Sequence, residues 1–213
     1  MLLLVDAAQT AGVCPIHMEA MGIHLLAAPG HKGLLGPQGT GVLLVDPAVE
    51  LRPIREGGTG AHSRSLEQPA VFPEGFESGT LNVPGIAGLA AGVAFLAAES
   101  VAAVRRRELE LSTALLEGLR AIPGVTVYGP ERPEDRIGVV AFNLEGMDPG
   151  EVEARLDEEF GVVGRAGLHC NPGAHAALGT LDRGGAMRLS PGYFTTMAEI
   201  EAAVKGVERI AQG

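Results

Sequence analysis

Apolar positions along the chain fall into two regimes, and each predicts its own kind of element. Near the start they form short unbroken runs at residues 2–5, 23–28 and 41–45, separated by loops that contain Gly or Pro. Such runs read as strands, and "LLLVD" as a buried parallel strand from its first residue. The stretch "PIHMEAMG" (15–22) has helix-like spacing, so residues 2–45 predict a βαβ unit plus one further strand. Residues 51–83 have no period, are rich in Gly, Ser and Pro, and predict a long loop.

Beyond Pro84 the spacing becomes helical. "PGIAGLAAGVAFLAAES" predicts a small-residue helix opened by that proline, and "VAAVRRRELELSTALLEGLRAI" a charged amphipathic helix that follows or continues it. Its "RRRELELS" run is expected to be a solvated face. Strands are expected near "VTVYG" and "IGVVAFNL", then a helix whose start is marked by Asp148, Pro149 and Glu151. After "GVVGRAG" comes an irregular glycine-containing loop around Cys170, then a strand at "AMRLSP". A last helix is started by Thr196, with Glu199 three residues on. The fold class is α/β, with a compact α+β unit at the end of the chain.

The 213 residues, 46% hydrophobic, suffice for one large or two small domains with a real core. A formal net charge of −10 and the absence of any Lys/Arg-dense tract argue against binding to nucleic acid. No apolar run has membrane-spanning length and the first residues lack the form of a signal peptide, so neither a membrane nor export is expected, and the compartment is read as cytoplasmic. Two cysteines, Cys14 and Cys170, are too few for a disulfide framework and are expected as free thiols. His17, His24, His62 and His175 lack metal-site spacing, and no metal is expected. The chain opens directly on a strand, with nothing before it to cover the sheet; it is expected to be the C-terminal part of a longer protein.

Lys32 follows His31 at the end of an apolar run and opens a glycine-rich loop. An amine there can clamp a phosphate, stand as a surface charge, or be held for covalent chemistry. A nucleotide-binding P-loop fails on order, because its lysine follows the glycines and precedes Ser or Thr. Glycines 33, 36, 39 and 41 are expected to form turns. Asp6 ends the first strand, where ligands of open α/β sheets collect, although a lone Asp there also caps a turn. A βαβ pairing brings Asp6, Gln9 and Lys32 to one crest. Pyridoxal 5'-phosphate (PLP) is the cofactor that needs such a pair, a carboxylate to hold a pyridine nitrogen protonated and an amine to condense with an aldehyde.

In this order, "VDAAQTAG", "GHKGLLGPQGTG", "ESGTLN", "RAGLHC" and "MRLSPGYF" resemble the class V aminotransferase family, and within it the cysteine desulfurase and selenocysteine lyase branch, over nearly the whole chain. The resemblance implies a PLP-transferase of fold type I, with residues 1–100 as the C-terminal part of the PLP-binding large domain and 101–213 as the small α+β domain. It implies Lys32 as the Schiff-base lysine, Asp6 as partner of the pyridine nitrogen, Gln9 as donor to the ring's phenolic oxygen, and His31 as a phosphate contact. Pro29 departs from the family's small polar residue, so one phosphate contact is expected to be missing. Thr80 and the backbone near Gly57 resemble the segment that a second subunit offers to the phosphate, which implies a homodimer with shared sites. Arg188 is similar to the arginine that grips the substrate carboxylate, and Arg165 is expected to position the substrate or the cysteine loop.

Cys170 selects the branch. In "GLHCNPG" its neighbours suggest an exposed loop, where a thiolate is free to attack. The implied substrate is L-cysteine or a similar amino acid, whose sulfur passes to Cys170 as a persulfide and then to an acceptor protein. His169 either tunes the thiol or hydrogen-bonds within the loop, and Cys14 is read as structural. The family's chains are longer at the N-terminus, where they carry the aromatic side chain that stacks on the ring and a Gly/Thr phosphate loop, so the isolated chain is expected to bind PLP weakly. Two other readings stay open: another class V aminotransferase, epimerase or lyase, and a catalytically silent fragment or partner-binding module.

Overall fold

The computed structural model of the chain describes residues 1–60 and 64–213, which form two compact units, Met1–Ala102 and Ala103–Gly213. The described residues hold five α-helices and two sheets, a mixed α/β architecture. His62 lies outside the described residues.

In the first unit β1 (Leu4–Asp6), β2 (Leu25–Pro29) and β3 (Gly41–Val45) form one sheet in that order. β1 runs parallel to β2, with Asp6 opposite Ala27; β3 returns antiparallel, with Gly41 opposite Pro29. Ala7, Ile23, Leu26 and Ala28 form the buried centre, joined by Val5, Leu34 and Val42. Two expectations are overturned here. Residues 15–17 are loop and 18–22 turn rather than a helix, closed by Met21 N–H to His17 O (2.9 Å) and Ile23 N–H to Met18 O (2.8 Å). The six residues between Pro15 and the left-handed Gly22 yield too few hydrogen bonds to offset helix nucleation. β1, expected to be buried, lies at the edge: among the described residues it pairs with β2 alone, and Leu4, with Leu2 just before the strand, stays exposed (56% and 60%).

Residues 51–60 and 64–82 are loop, as their composition predicts, with one 3-10 turn at Glu74–Phe76. Gln68 ties the loop together, accepting from Gly57 N–H (3.1 Å) and donating to Gly75 O (2.7 Å). Helix α1 (Val83–Glu99) begins at the Asn82 cap, whose side chain accepts from Gly85 N–H (3.1 Å), with a proline in the first turn. Its small residues let the loop after β2 lie directly on the helix: a Cβ on Gly92 would stand 2.5 Å from Leu34 O, and one on Gly36 2.8 Å from Leu89 Cδ1.

A second close approach fixes the crest of the sheet. A Cβ on Gly12 would overlap the Gly33 carbonyl oxygen, and one on Gly33 would overlap the Ala11 carbonyl oxygen. The two loops leaving β1 and β2 therefore touch backbone to backbone, which only glycine permits. Of the glycines read as turn formers, Gly39 (φ 74°) is one, whereas Gly33 and Gly36 serve close packing.

The second unit has an antiparallel sheet of β4 (Val125–Tyr128), β5 (Val140–Leu144), β6 (Arg165–Gly167) and β7 (Ala186–Leu189), ordered β4-β5-β7-β6. Alternation along β5 turns Val140, Phe142 and Leu144 into the core and Ala141 and Asn143 away from it. Helices α2 (Val101–Arg120), α3 (Pro149–Phe160) and α5 (Met197–Gln212) supply the rest of that core, notably Leu111, Leu115, Leu119, Leu156, Val207 and Ile210. Asp148 caps α3, and a reciprocal Thr196–Glu199 capping box starts α5. The Thr196 N–H and hydroxyl hold the Glu199 carboxyl below the usual carboxylate range. A further helix, α4 (Pro172–Leu178), stands where only an irregular loop is expected; its seven residues are too few for a periodic signal, and Asn171 caps it.

The expectation of a wholly solvated charged run on α2 is also corrected. Arg106 and Glu110 are exposed, but Glu108 falls on the stripe of Val104, Leu111 and Leu115 and is buried, 8% exposed. Burial pushes its carboxyl up from 4.5, against the attraction of Arg105. A group whose folded pKa is raised favours the fold while protonated, and that contribution is lost as pH rises through the folded pKa. Glu108→Gln is therefore expected to raise the urea midpoint at pH 7, with the difference from wild type closing once the pH falls below about 4.5. Gly33→Ala is expected to lower unfolding free energy by about 1–3 kcal/mol, because its Cβ meets backbone. In the same urea titration Gly58→Ala, which meets nothing within 4 Å, should stay within about 0.5 kcal/mol of wild type.

Candidate active site

The carboxyl ends of the parallel pair β1 and β2 carry the first cluster. Ala7 N–H donates to Ala27 O (2.8 Å), locking the end of β1 to β2. Asp6 Oδ1 accepts from Ala8 N–H (2.9 Å), so the carboxylate does cap the turn that follows it. Gln9 lies in that turn, and the chain then reaches Gly12, in contact with Gly33. His31 and Lys32 sit in the loop leaving β2, which is folded back by Leu35 N–H to Lys32 O (2.9 Å) and Gly36 N–H to Gly30 O (2.7 Å). Asp6, Gln9, His31 and Lys32 are all exposed. None of the ion pairs among the described residues includes Asp6 or Lys32. Cys14 lies half-buried in the same turn region, its N–H on Thr10 O (2.8 Å).

Two segments distant in sequence also meet in this unit. Gly79 N–H donates to Gly58 O (2.8 Å), and a Cβ on Gly57 would lie 3.6 Å from the Ser78 Cβ. Thr80 follows, exposed, two residues before the Asn82 cap of α1. The backbone near Gly57 and the segment of Thr80 are thus neighbours.

The second cluster belongs to the second unit. Arg165 on β6 and Arg188 on β7 are directly opposed, placing two guanidinium side chains on one face of the sheet, opposite the face that Met187 turns into the core. Opposed like charges are unfavourable unless something negative lies between them. Neither arginine takes part in an ion pair among the described residues, and Arg188 Nε is buried without a hydrogen-bond partner. The end of β6 is fixed because a Cβ on Gly185 would overlap the Gly167 carbonyl oxygen.

From β6 the chain enters a turn closed by Asn171 N–H to Leu168 O (2.9 Å), with His169 (φ 50°) and Cys170 (φ 61°) at its centre. Two successive positive φ values are what a type I′ turn requires, and Gly, Asn or Asp normally supply them. Here a histidine and an exposed cysteine do. Backbone strain of this kind costs about 1–3 kcal/mol per residue and collects at functional sites. His169 Nε2 lies 3.0 Å from Arg165 O, and its ring centroid 5.4 Å from that of His175. Burial holds the His169 imidazole below its ordinary value; the Arg165 carbonyl opposes this, while Arg188, His175 and Arg165 add to it.

Sequence reasoning missed the roles of His175 and Thr180. Both are buried, with His175 Nδ1 2.8 Å from Thr180 Oγ1. Their five-residue spacing across a short helix and its left-handed Gly179 cap has no simple period, which leaves no sequence signal. Among the described residues no group of three or more His, Cys, Asp or Glu side chains is arranged to hold a metal, and no single helix is long and apolar enough to cross a membrane.

Comparison with known proteins agrees across sequence and structure. The family model described as aminotransferase class-V matches residues 1–203. A probable cysteine desulfurase from Methanothermobacter thermautotrophicus is 36% identical over 214 residues, 99% of this chain and 53% of that protein. A cysteine desulfurase from Escherichia coli O139:H28 is 33% identical, over 97% of this chain and 50% of that protein. Among solved structures, the apo cysteine desulfurase from Thermococcus onnurineus NA1 superposes with a TM-score of 0.81 at 32% identity, and the Escherichia coli cysteine desulfurase CsdA with 0.84 at 29%. Each is matched by all of this chain, over 53% and 52% of its own. The chain spans about half the length of the curated relatives it matches. With the class-V model running through both units and both clusters, the chain belongs to the class V aminotransferase family.

Proposed function

We propose that the whole protein is a PLP-dependent cysteine desulfurase that takes sulfur from L-cysteine, or selenium from selenocysteine, and leaves alanine. The observation that carries this reading is Cys170, an exposed thiol held on two left-handed residues just beyond a strand whose Arg165 opposes Arg188. The naming of the relatives as cysteine desulfurases supports the same chemistry.

The donor set of the first cluster fits PLP. Asp6 is a carboxylate with one oxygen held by a backbone N–H, suited to keeping a pyridine nitrogen protonated; Lys32 is an exposed amine outside every described ion pair. Gln9 and His31 would add hydrogen bonds to the ring oxygen and the phosphate, and Gly57 and Thr80, offered across a homodimer, would add further phosphate contacts. PLP, when bound, supplies an electron sink for the bonding pair released at the substrate α-carbon.

The chain's own residues do the rest. Arg188, with Arg165, binds the substrate carboxylate, since a guanidinium matches a carboxylate in two-point geometry. The Lys32 amine moves the α-proton. The Cys170 thiolate attacks the substrate sulfur: an S–S bond forms, the substrate C–S bond breaks, and its electron pair stays on carbon and is protonated. Alanine leaves and a Cys170 persulfide remains, to be passed to an acceptor protein in the cytoplasm, where thiols stay reduced.

A second reading, a folded chain without activity of its own, draws support from its half-length match to the relatives. Two experiments decide. Incubation with PLP followed by borohydride reduction should fix a phosphopyridoxyl group on the Lys32 peptide, seen by mass spectrometry and lost in Lys32→Ala; no label, or label spread over other lysines, favours the silent chain. With L-cysteine and PLP, alanine and sulfide should form and fall to background in Cys170→Ala; sulfur release untouched by that substitution removes the persulfide role and points to another class V reaction.

A further inference from the structure

The turn that carries Cys170 is braced from below by groups that neither the motifs nor the family reading uses. Thr180, 1% exposed, is built into the frame by four contacts: its N–H donates to His175 O (2.9 Å), its O accepts from Arg183 N–H (3.1 Å) and Gly185 N–H (3.0 Å), and its hydroxyl lies 3.4 Å from His175 O. With its hydrogen donated to that carbonyl, which only accepts, the Thr180 hydroxyl oxygen is left to accept from His175 Nδ1–H, 2.8 Å away. The same reasoning at His169 makes Nε2 the protonated nitrogen, since its partner is the Arg165 carbonyl. The His169 Nδ1 lone pair is then uncommitted, on the residue directly before Cys170.

Resting on the reading of Cys170 as the thiol that takes the sulfur, we propose that His175, locked by Thr180, is a positioning residue. Its ring packs against His169 and holds that imidazole in the Nε2–H form on the Arg165 carbonyl, leaving Nδ1 as the proton acceptor of the Cys170 turn. The charged and titratable groups that face His169 are Arg165 on β6, Arg188 on β7 and His175 on α4. Burial disfavours the imidazolium most, the Arg165 carbonyl opposes this, and the charges of Arg188, His175 and Arg165 add to burial, so the balance favours a neutral ring able to accept a proton. Without the His175 ring, His169 gains water and loses one of these neighbours, and both changes make it easier to protonate.

The test needs neither cofactor nor substrate, so it fails or succeeds separately from the desulfurase reading. Long-range 1H–15N spectra of the full chain carrying Cys14→Ser, followed from pH 5 to pH 8 and assigned with His169→Gln, report each ring's tautomer and midpoint. His169 is expected as the Nε2–H form and His175 as the Nδ1–H form. In His175→Ala and in Thr180→Val the His169 midpoint should rise by about half a unit, a roughly threefold tighter proton. Thr180→Ser, which keeps the hydroxyl, should restore the wild-type value. The pH–rate profile for alkylation of Cys170 by iodoacetamide should shift its His169-dependent step by the same amount. An Nδ1–H tautomer at His169, or a midpoint and alkylation profile identical in wild type, His175→Ala and Thr180→Val, overturns the proposal. Should His175→Ala fail to fold by circular dichroism, the Thr180→Val and Thr180→Ser pair carries the same decision.

Discussion

The contact that most constrains the first unit is one between two stretches of main chain. Where Gly12 meets Gly33, no side chain fits, and the loops leaving β1 and β2 share a single surface. Parallel pairing alone sets Asp6 level with Ala27 and leaves the following loops free to splay. The glycine contact removes that freedom, fixing the turn of Asp6 and Gln9 against the loop of His31 and Lys32. Helix α1 completes the clamp, its Gly92 against the backbone of Leu34 and Leu35 and its Leu89 against Gly36, so the amine-bearing loop is held on two sides. Lys32 itself remains exposed while its backbone is fixed.

The second unit solves a different problem, that of holding unfavourable features in place. Opposed arginines, a buried Arg188 Nε without a partner and two successive left-handed non-glycine residues each disfavour the fold. They occur together at one edge of the sheet, whose other face is a continuous apolar core from Phe142 and Met187 to Leu111, Leu156 and Ile210. Burial of that core offsets the local cost, since a large buried apolar side chain contributes about 1.5–3 kcal/mol. The segregation also explains Glu108. It lies on the core-facing stripe of α2, and its burial pushes the carboxyl toward the neutral form that such a position tolerates.

Elements with a strong local cause were legible from the sequence. The Thr196–Glu199 capping box, the Asp148 cap and the Pro84 start need only neighbouring residues, and the helices begin at or within one residue of them. Strands β2 to β5 and β7 follow apolar runs with turn residues at both ends. The failures have two causes. "PIHMEAMG" has helical spacing but too little length; α4 is shorter still; Glu108 is polar at an apolar position; β1 is apolar yet lies at an edge. The first two fail on length, and the last two depend on what lies across from the segment in space.

The candidate site divides along the same line. Its chemical inventory of one lysine, one aspartate, two arginines and one exposed thiol, together with the family to which the order of motifs belongs, was fixed by the linear sequence, because these are properties of residue types and spacings. Which groups face each other was decided only by the tertiary structure: Arg165 against Arg188, Gly57 beside Ser78, His169 on His175, and Thr180 beneath them. Strand register, backbone approach and left-handed turns arise from packing between segments far apart in the chain, and no local pattern of side chains encodes them.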